Sequence, residues 1–206
     1  GNNPSMWAAV SGNGRYVALS SQASNLVPGD TNSAQDIFVR DRWFGTTERV
    51  NVDSAGAQSD GNGSGEFSMS PDGRYVAFWS NAYNLVPGDT AYRDVFVRDR
   101  QLGTTERVSV DSAGTQANGG SGANNGAVSP PSISADGRYV AFWSEASNLV
   151  AGDTNGAWDI FVRDRQLGTT ERVSVSSGGS QGNGDCYYVR LSADGRYAAF
   201  ASYASN

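Results

Sequence analysis

One phrase is written four times in this chain: Asn13-Gly14-Arg15-Tyr16, Asp72-Gly73-Arg74-Tyr75, Asp136-Gly137-Arg138-Tyr139 and Asp194-Gly195-Arg196-Tyr197. The copies recur every 58 to 64 residues. A period of that length, enclosing four short β-like runs, predicts an all-β propeller built by stacking like modules. Architecture follows from the period. Activity does not, because propellers carry unrelated functions on variable loops.

The second repeat shows the module. Residues 66–70 form a short alternating run, strand a. Pro71-Asp72-Gly73 is a tight turn, since Asp-Gly favours positive φ. Arg74 to Trp79 is strand b, rich in aromatic and β-branched residues. A long polar stretch leads to strand c, Asp94 to Arg100, with Val95 and Val97 on one face and Phe96 on the other. A second tight turn gives strand d, Thr105 to Val110. The first and third repeats match, with strand d at Thr47 to Val52 and Thr170 to Val175. The fourth has only strands a and b. The chain thus reads as one partial propeller of four-stranded antiparallel blades, at about 6–53, 66–111, 131–176 and 187–206, the last incomplete. Closing a ring takes about four or more blades. The remaining blades are therefore expected from the same longer chain or from an oligomer of part-rings.

Composition removes several functions. There is no His and no Lys; all fifteen basic residues are Arg. That excludes a Ser-His-Asp couple, an imidazole metal ligand, a Schiff base and a phosphate-loop lysine. Net charge is -6, and every Arg-rich stretch is interrupted by Asp, which argues against nucleic acid and anionic membrane. No run has the length of a membrane span, and no signal peptide is visible. The lone Cys186 reads as a small buried residue.

Ser-x-Asp-Gly-Arg-Tyr-Val-Ala-Phe, then Asp-Ile/Val-Phe-Val-Arg-Asp-Arg, then Gly-Thr-Thr-Glu-Arg-Val, resembles the TolB-like (WD40-like) β-propeller repeat across nearly the whole chain. Ser11-Gly12-Asn13-Gly14 departs mildly. The resemblance implies radial four-stranded blades. The family includes binding scaffolds, periplasmic and secreted proteins, and propeller domains of some peptidases, so it implies an extracellular or periplasmic location but no single activity.

The a–b and c–d turns are short and share one face of such a ring. The b–c and d–a connections are long and share the other, where ligands are expected. The b–c loops offer hard oxygens from Asp30, Asn32 and Asp36, and from Asp153, Asn155 and Asp159. Six to eight such ligands suit Ca²⁺, and two adjacent carboxylates need something positive between them. The second copy, with Asp89 and Asp94, lacks the Asn and is weaker. Asp and Asn that cap their own turns are the metal-free alternative. Leu26-Val27, Leu85-Val86 and Leu149-Val150 should tuck under these loops as a small satellite core. In the d–a loops Gln58, Gln116 and Gln181 could bind a sugar or peptide, or the backbone of a neighbouring blade. Trp158 is unrepeated and is a ligand candidate, whereas Trp79 and Trp143 match in position and should pack between blades. The Arg-Asp-Arg triplets and Glu-Arg pairs should stabilise the c–d hairpin across its strands.

The leading reading is a non-catalytic binding scaffold for a protein or glycan ligand, steadied by Ca²⁺. A lectin with one shallow site per blade is one alternative. A carboxylate-based glycosidase using Glu145 and Asp185 is the other.

Overall fold

The computed structural model describes residues 1–61, 63–90, 92–124 and 127–206. Ala91 of the second b–c loop and residues 125–126 of the longest d–a loop, which runs from 117 to 128, lie outside them.

Three four-stranded antiparallel sheets follow the chain in order. The first holds β1 (Ser5–Val10), β2 (Tyr16–Ser21), β3 (Asp36–Asp41) and β4 (Thr46–Arg49). The second holds β5 (Gly63–Met69), β6 (Tyr75–Ser80), β7 (Asp94–Asp99) and β8 (Thr104–Arg107). A two-residue ladder, β9 (Ala123–Asn124) with β10 (Ala127–Val128), precedes the third: β11 (Ser132–Ile133), β12 (Tyr139–Ser144), β13 (Asp159–Asp164) and β14 (Thr169–Arg172). β15 (Cys186–Leu191) and β16 (Ala198–Ser202) form the last sheet alone. The described residues contain no helix, and so none long and apolar enough to cross a membrane. The first strands β1, β5, β11 and β15 lie against one another in turn, so the sheets fan outward from an inner rim.

The core is a set of slabs between blades. Period-2 alternation in the third strands makes it so. Phe96 joins the slab facing the first blade, with Ile37, Val39, Val50 and Phe78. Its neighbours Val95 and Val97 join the slab facing the third, with Val140, Phe142 and Phe161. β7 and β13 thus each tie two slabs together. Leu85 and Leu149, 1% exposed, belong to these slabs rather than to a separate satellite under the loops.

The fourth strands end earlier than the sequence predicts, at Arg49, Arg107 and Arg172. A side chain explains it. Asn51 Oδ1, Ser109 Oγ and Ser174 Oγ accept the N–H groups of Ile37, Val95 and Ile160 at 2.9, 3.0 and 3.1 Å. A side-chain oxygen replaces a ladder carbonyl there, and regular pairing stops.

The repeated phrase is a folding device. Ser70 Oγ donates to Asp72 Oδ1 and accepts the Tyr75 N–H, while Asp72 also accepts the Arg74 N–H. Asn13 does the same work in the first blade. Arg15, Arg74 and Arg138 then reach the third strands and pair with Asp41, Asp99 and Asp164 at 2.6, 2.7 and 2.6 Å. Arg15 holds the Asp41 carboxyl down to about 2.

Candidate functional site

The b–c loops bring Asp30 to Asp36, Asp89 to Asp94 and Asp153 to Asp159, as their spacing predicts, and an arginine sits between each pair. Arg49 Nη1 lies 3.2 Å from Asp30 and 3.1 Å from Asp36. Arg172 Nη1 lies 3.0 Å from Asp153 and 3.4 Å from Asp159. Arg107 Nη1 lies 2.8 Å from Asp89 and 3.6 Å from Asp94. The positive charge assigned above to Ca²⁺ is a guanidinium from the fourth strand. The asparagines offer no oxygen either. Asn32 and Asn155 donate Nδ2 to Asp36 and Asp159, and their Oδ1 atoms accept the N–H of Ala34 and Ala157. Among the described residues no three of His, Cys, Asp or Glu gather as a metal group. So arranged, this donor set does not fit a calcium ion.

Asp94 is fully buried, accepts Ser109 Oγ at 2.5 Å and Gln116 Nε2 at 2.5 Å, and faces Asp89. Burial, then the Asp89 charge, pushes its carboxyl up to about 7 against the pull of Ser109 and Arg107. Below about pH 4 the folded and unfolded chains both hold this proton. Between about 4 and 7 only the folded chain does, so this group makes stability fall as pH rises, by roughly 1.4 kcal/mol per unit. Asp94→Asn should remove that slope. Urea midpoints of wild type and variant from pH 4 to 8 check it; parallel curves would refute the assignment.

The glutamines serve the b–c loop of their own blade, not the backbone of the next. Gln58 Nε2 donates to Thr31 Oγ1 at 2.8 Å, and Gln181 Nε2 to Thr154 Oγ1 at 2.9 Å. Gln181 Oε1 also accepts Arg172 Nη1, and Gln116 bridges Asp89 and Asp94. Each also forms an isolated bridge with the residue that leaves the fourth strand, Val52, Val110 or Val175.

The repeated charges act both within and between blades: Arg49, Arg107 and Arg172 reach across the c–d hairpin to Asp36, Asp94 and Asp159, whereas the repeated glutamates reach the next blade. Arg100 and Arg165 pair with Glu48 and Glu106 of the preceding blade. Arg98 and Arg163 donate to the Asp53 and Asp111 carbonyls there, at 3.0 and 2.9 Å.

Symmetry breaks at the inner rim of the loop-rich face. Four residues before the turn serine stand Trp7, Glu66, Pro130 and Tyr188. At three of these the inner strand has a register shift, which re-aims a side chain. Trp7 and Tyr188 hold positive φ there, 33° and 58°, although neither is glycine. They are about half exposed, at 51% and 53%, whereas Glu66 is buried. One residue before the third strand stand Gln35, Arg93 and Trp158.

In the middle blades these positions converge. The Arg93 guanidinium stacks on Trp79, 4.6 Å from its centroid, and Arg93 Nε donates to Asn81 at 3.3 Å. Burial lowers the Arg93 pKa, opposed by Glu145 and Glu66. Burial raises that of Glu66, opposed by Trp79 and Arg93. Glu145 Oε1 accepts the Gly120 N–H at 3.2 Å. Trp158 is part-buried against Trp143, centroids 4.8 Å apart, and Asp185 accepts its backbone N–H at 3.0 Å. The glycosidase suspects therefore each hold a loop amide. Sequence reasoning singled out Trp158 and Glu145 in this region and passed over Trp7, Glu66, Arg93 and Tyr188. Their signal was available: they differ where the surrounding repeat agrees.

No family model matches this chain, and no curated protein does. Solved structures do match in fold. A putative TolB from Agrobacterium tumefaciens is 15% identical with a TM-score of 0.59, over 98% of this chain and 55% of that one. The tricorn protease is 13% identical with a TM-score of 0.56, over 91% of this chain and 18% of that one. A prolyl endopeptidase is 15% identical with a TM-score of 0.56, over 97% and 26%. The chain spans about half the length of that TolB and a smaller share of the two peptidases. Its fold is therefore a TolB-like β-propeller, present here as three full blades and half of a fourth.

Proposed function

We propose that this chain belongs to a non-catalytic propeller that binds a protein or glycan ligand on its loop-rich face, at the rim where Glu66, Trp79, Arg93, Glu145 and Trp158 meet. The single observation behind this reading is where symmetry fails. Turns, ion pairs and core residues repeat from blade to blade; the rim does not. Repeated residues serve the scaffold, and departures from repetition are where one particular ligand can be read. The non-catalytic part rests on Glu145 and Asp185, which hold loop amides. An extracellular or envelope location is part of this reading, supported by the resemblance of the repeat phrases to a family with periplasmic and secreted members.

Arg93→Gln is the informative variant, because the first blade carries Gln35 at the same position. Glycan and peptide arrays probed with wild type should give a ligand whose affinity falls at least about tenfold in Arg93→Gln. Chelator should change neither that affinity nor the melting temperature. Binding untouched by Arg93→Gln would reject the rim. Glycan turnover lost in Glu145→Gln would favour the enzyme.

A further inference from the structure

A groove opens at each boundary between two full blades. The first, about 470 Å³, runs between the 53–55 turn of the first blade and the 83–88 loop of the second. The next, about 550 Å³, runs between the 111–113 turn and the 147–152 loop. Both fall in the roughly 300–1,000 Å³ range of small-ligand sites. Their frame repeats. Asp60 Oδ1 accepts the Tyr83 N–H at 2.9 Å, and Asn118 Oδ1 accepts the Ser147 N–H at 2.9 Å. Asn84 and Asn148 donate Nδ2 to the Gln58 and Gln116 carbonyls, both at 2.8 Å. The side chain displayed on that frame does not repeat. Tyr83 is 56% exposed, whereas the other three blades carry Ser24, Ser147 and Ser205 there. Pro87 extends the apolar wall where the second groove has Ala151.

The opposite wall supplies a carboxylate. Asp53 Oδ1 accepts the N–H groups of Ala55 and Ala57 at 2.9 and 2.7 Å, which fixes the group. Among the described residues neither Asp53 Oδ2 nor the Tyr83 hydroxyl is taken by a hydrogen bond. The main chain beside them is spent. Ser54 Oγ accepts the Thr105 N–H at 3.0 Å and donates to the Thr105 carbonyl at 3.3 Å, and the Asp53 carbonyl accepts Arg98 Nη1 at 3.0 Å. An extended peptide that adds as a strand needs open main-chain groups of that kind. A ring with an apolar face and hydroxyls at its edge needs a stacking surface and a carboxylate acceptor instead, and the groove offers both.

We propose that the groove between the first and second blades binds a hexopyranose with a contiguous C–H face, a β-galactoside or β-glucoside. That face lies on the Tyr83 ring, and hydroxyls at the sugar's edge donate to Asp53 Oδ2. The neighbouring groove, with Ser147 and Ala151, has the frame without the platform and does not bind. The site shares no residue with the rim, and the inference stands independently of that reading.

The probes are methyl β-D-galactopyranoside and methyl β-D-glucopyranoside, each titrated into the chain and followed by amide NMR shifts. At least one should give saturable shifts confined to residues 53–55 and 83–88. Tyr83→Ser, which copies the other blades, should weaken binding about tenfold or more, and Tyr83→Phe only a few-fold. Asp53→Asn should weaken it a few-fold. The triple variant Asn118→Asp, Ser147→Tyr, Ala151→Pro copies the second blade into the third. It should add a second set of shifts at residues 111–113 and 147–152. Amide dispersion and melting temperature establish that each variant is folded. No saturable shift with either glycoside, shifts centred elsewhere, or unchanged binding in Tyr83→Ser overturns the proposal. So does a folded triple variant that stays silent at its new site.

Discussion

Asp159→Ala is expected to lower stability by about 3–5 kcal/mol, the range for stripping one partner from a buried ion pair. The Asp159 side chain is fully buried. It accepts Ser174 Oγ at 2.5 Å, Asn155 Nδ2 at 2.8 Å and Arg172 Nη1 at 3.4 Å. Alanine removes both acceptor oxygens, strands three donors and leaves a guanidinium only 10% exposed with Asp153 as its one remaining carboxylate among the described residues. The b–c loop of the third blade loses its anchor, and Leu149 loses the loop that holds it in the core. Chemical denaturation measures the loss. Asp159→Asn, which keeps an acceptor for Ser174, should lose less. A loss under about 1 kcal/mol for the alanine variant would mean that the arginine bridge is incidental. Calcium should not rescue either variant, since the charge between the two aspartates is already there.

Gly137→Val should cost about as much through a different mechanism. Gly137 has φ +73°, and an added Cβ there would overlap the Tyr75 ring of the preceding blade. A non-glycine residue held in the left-handed region costs about 1–3 kcal/mol, and overpacking adds about 1–3 more. In a Tyr75→Ala background the overpacking part should vanish, leaving only the backbone part. Gly152→Ala is the matched control, with φ +75° and nothing within 4 Å of its Cβ. If both glycine variants cost the same in denaturation, the Tyr-on-Gly contact plays no part in blade stacking.

The legible part of the sequence was local. Asp-Gly dictates a reversal, alternation in Asp94-Val95-Phe96-Val97 dictates a strand buried on both faces, and four copies dictate stacking. The site was legible in part. Trp158 stood out because it was unrepeated, and Asp30 with Asp36 stood out by spacing. Nothing near those aspartates in sequence announced Arg49, which arrives from the neighbouring fourth strand.

Sequence alone therefore determined the module, its turns, its strand order and the loop-rich face, because each depends on φ/ψ preference and side-chain period over a few residues. Only the tertiary structure decided which charges meet. An arginine replaced the expected cation, repeated glutamates joined blades instead of strands, and Glu66, Arg93 and Glu145 converged on one rim. Such pairings depend on distance in space between residues tens of positions apart, and no local preference of the chain encodes that distance.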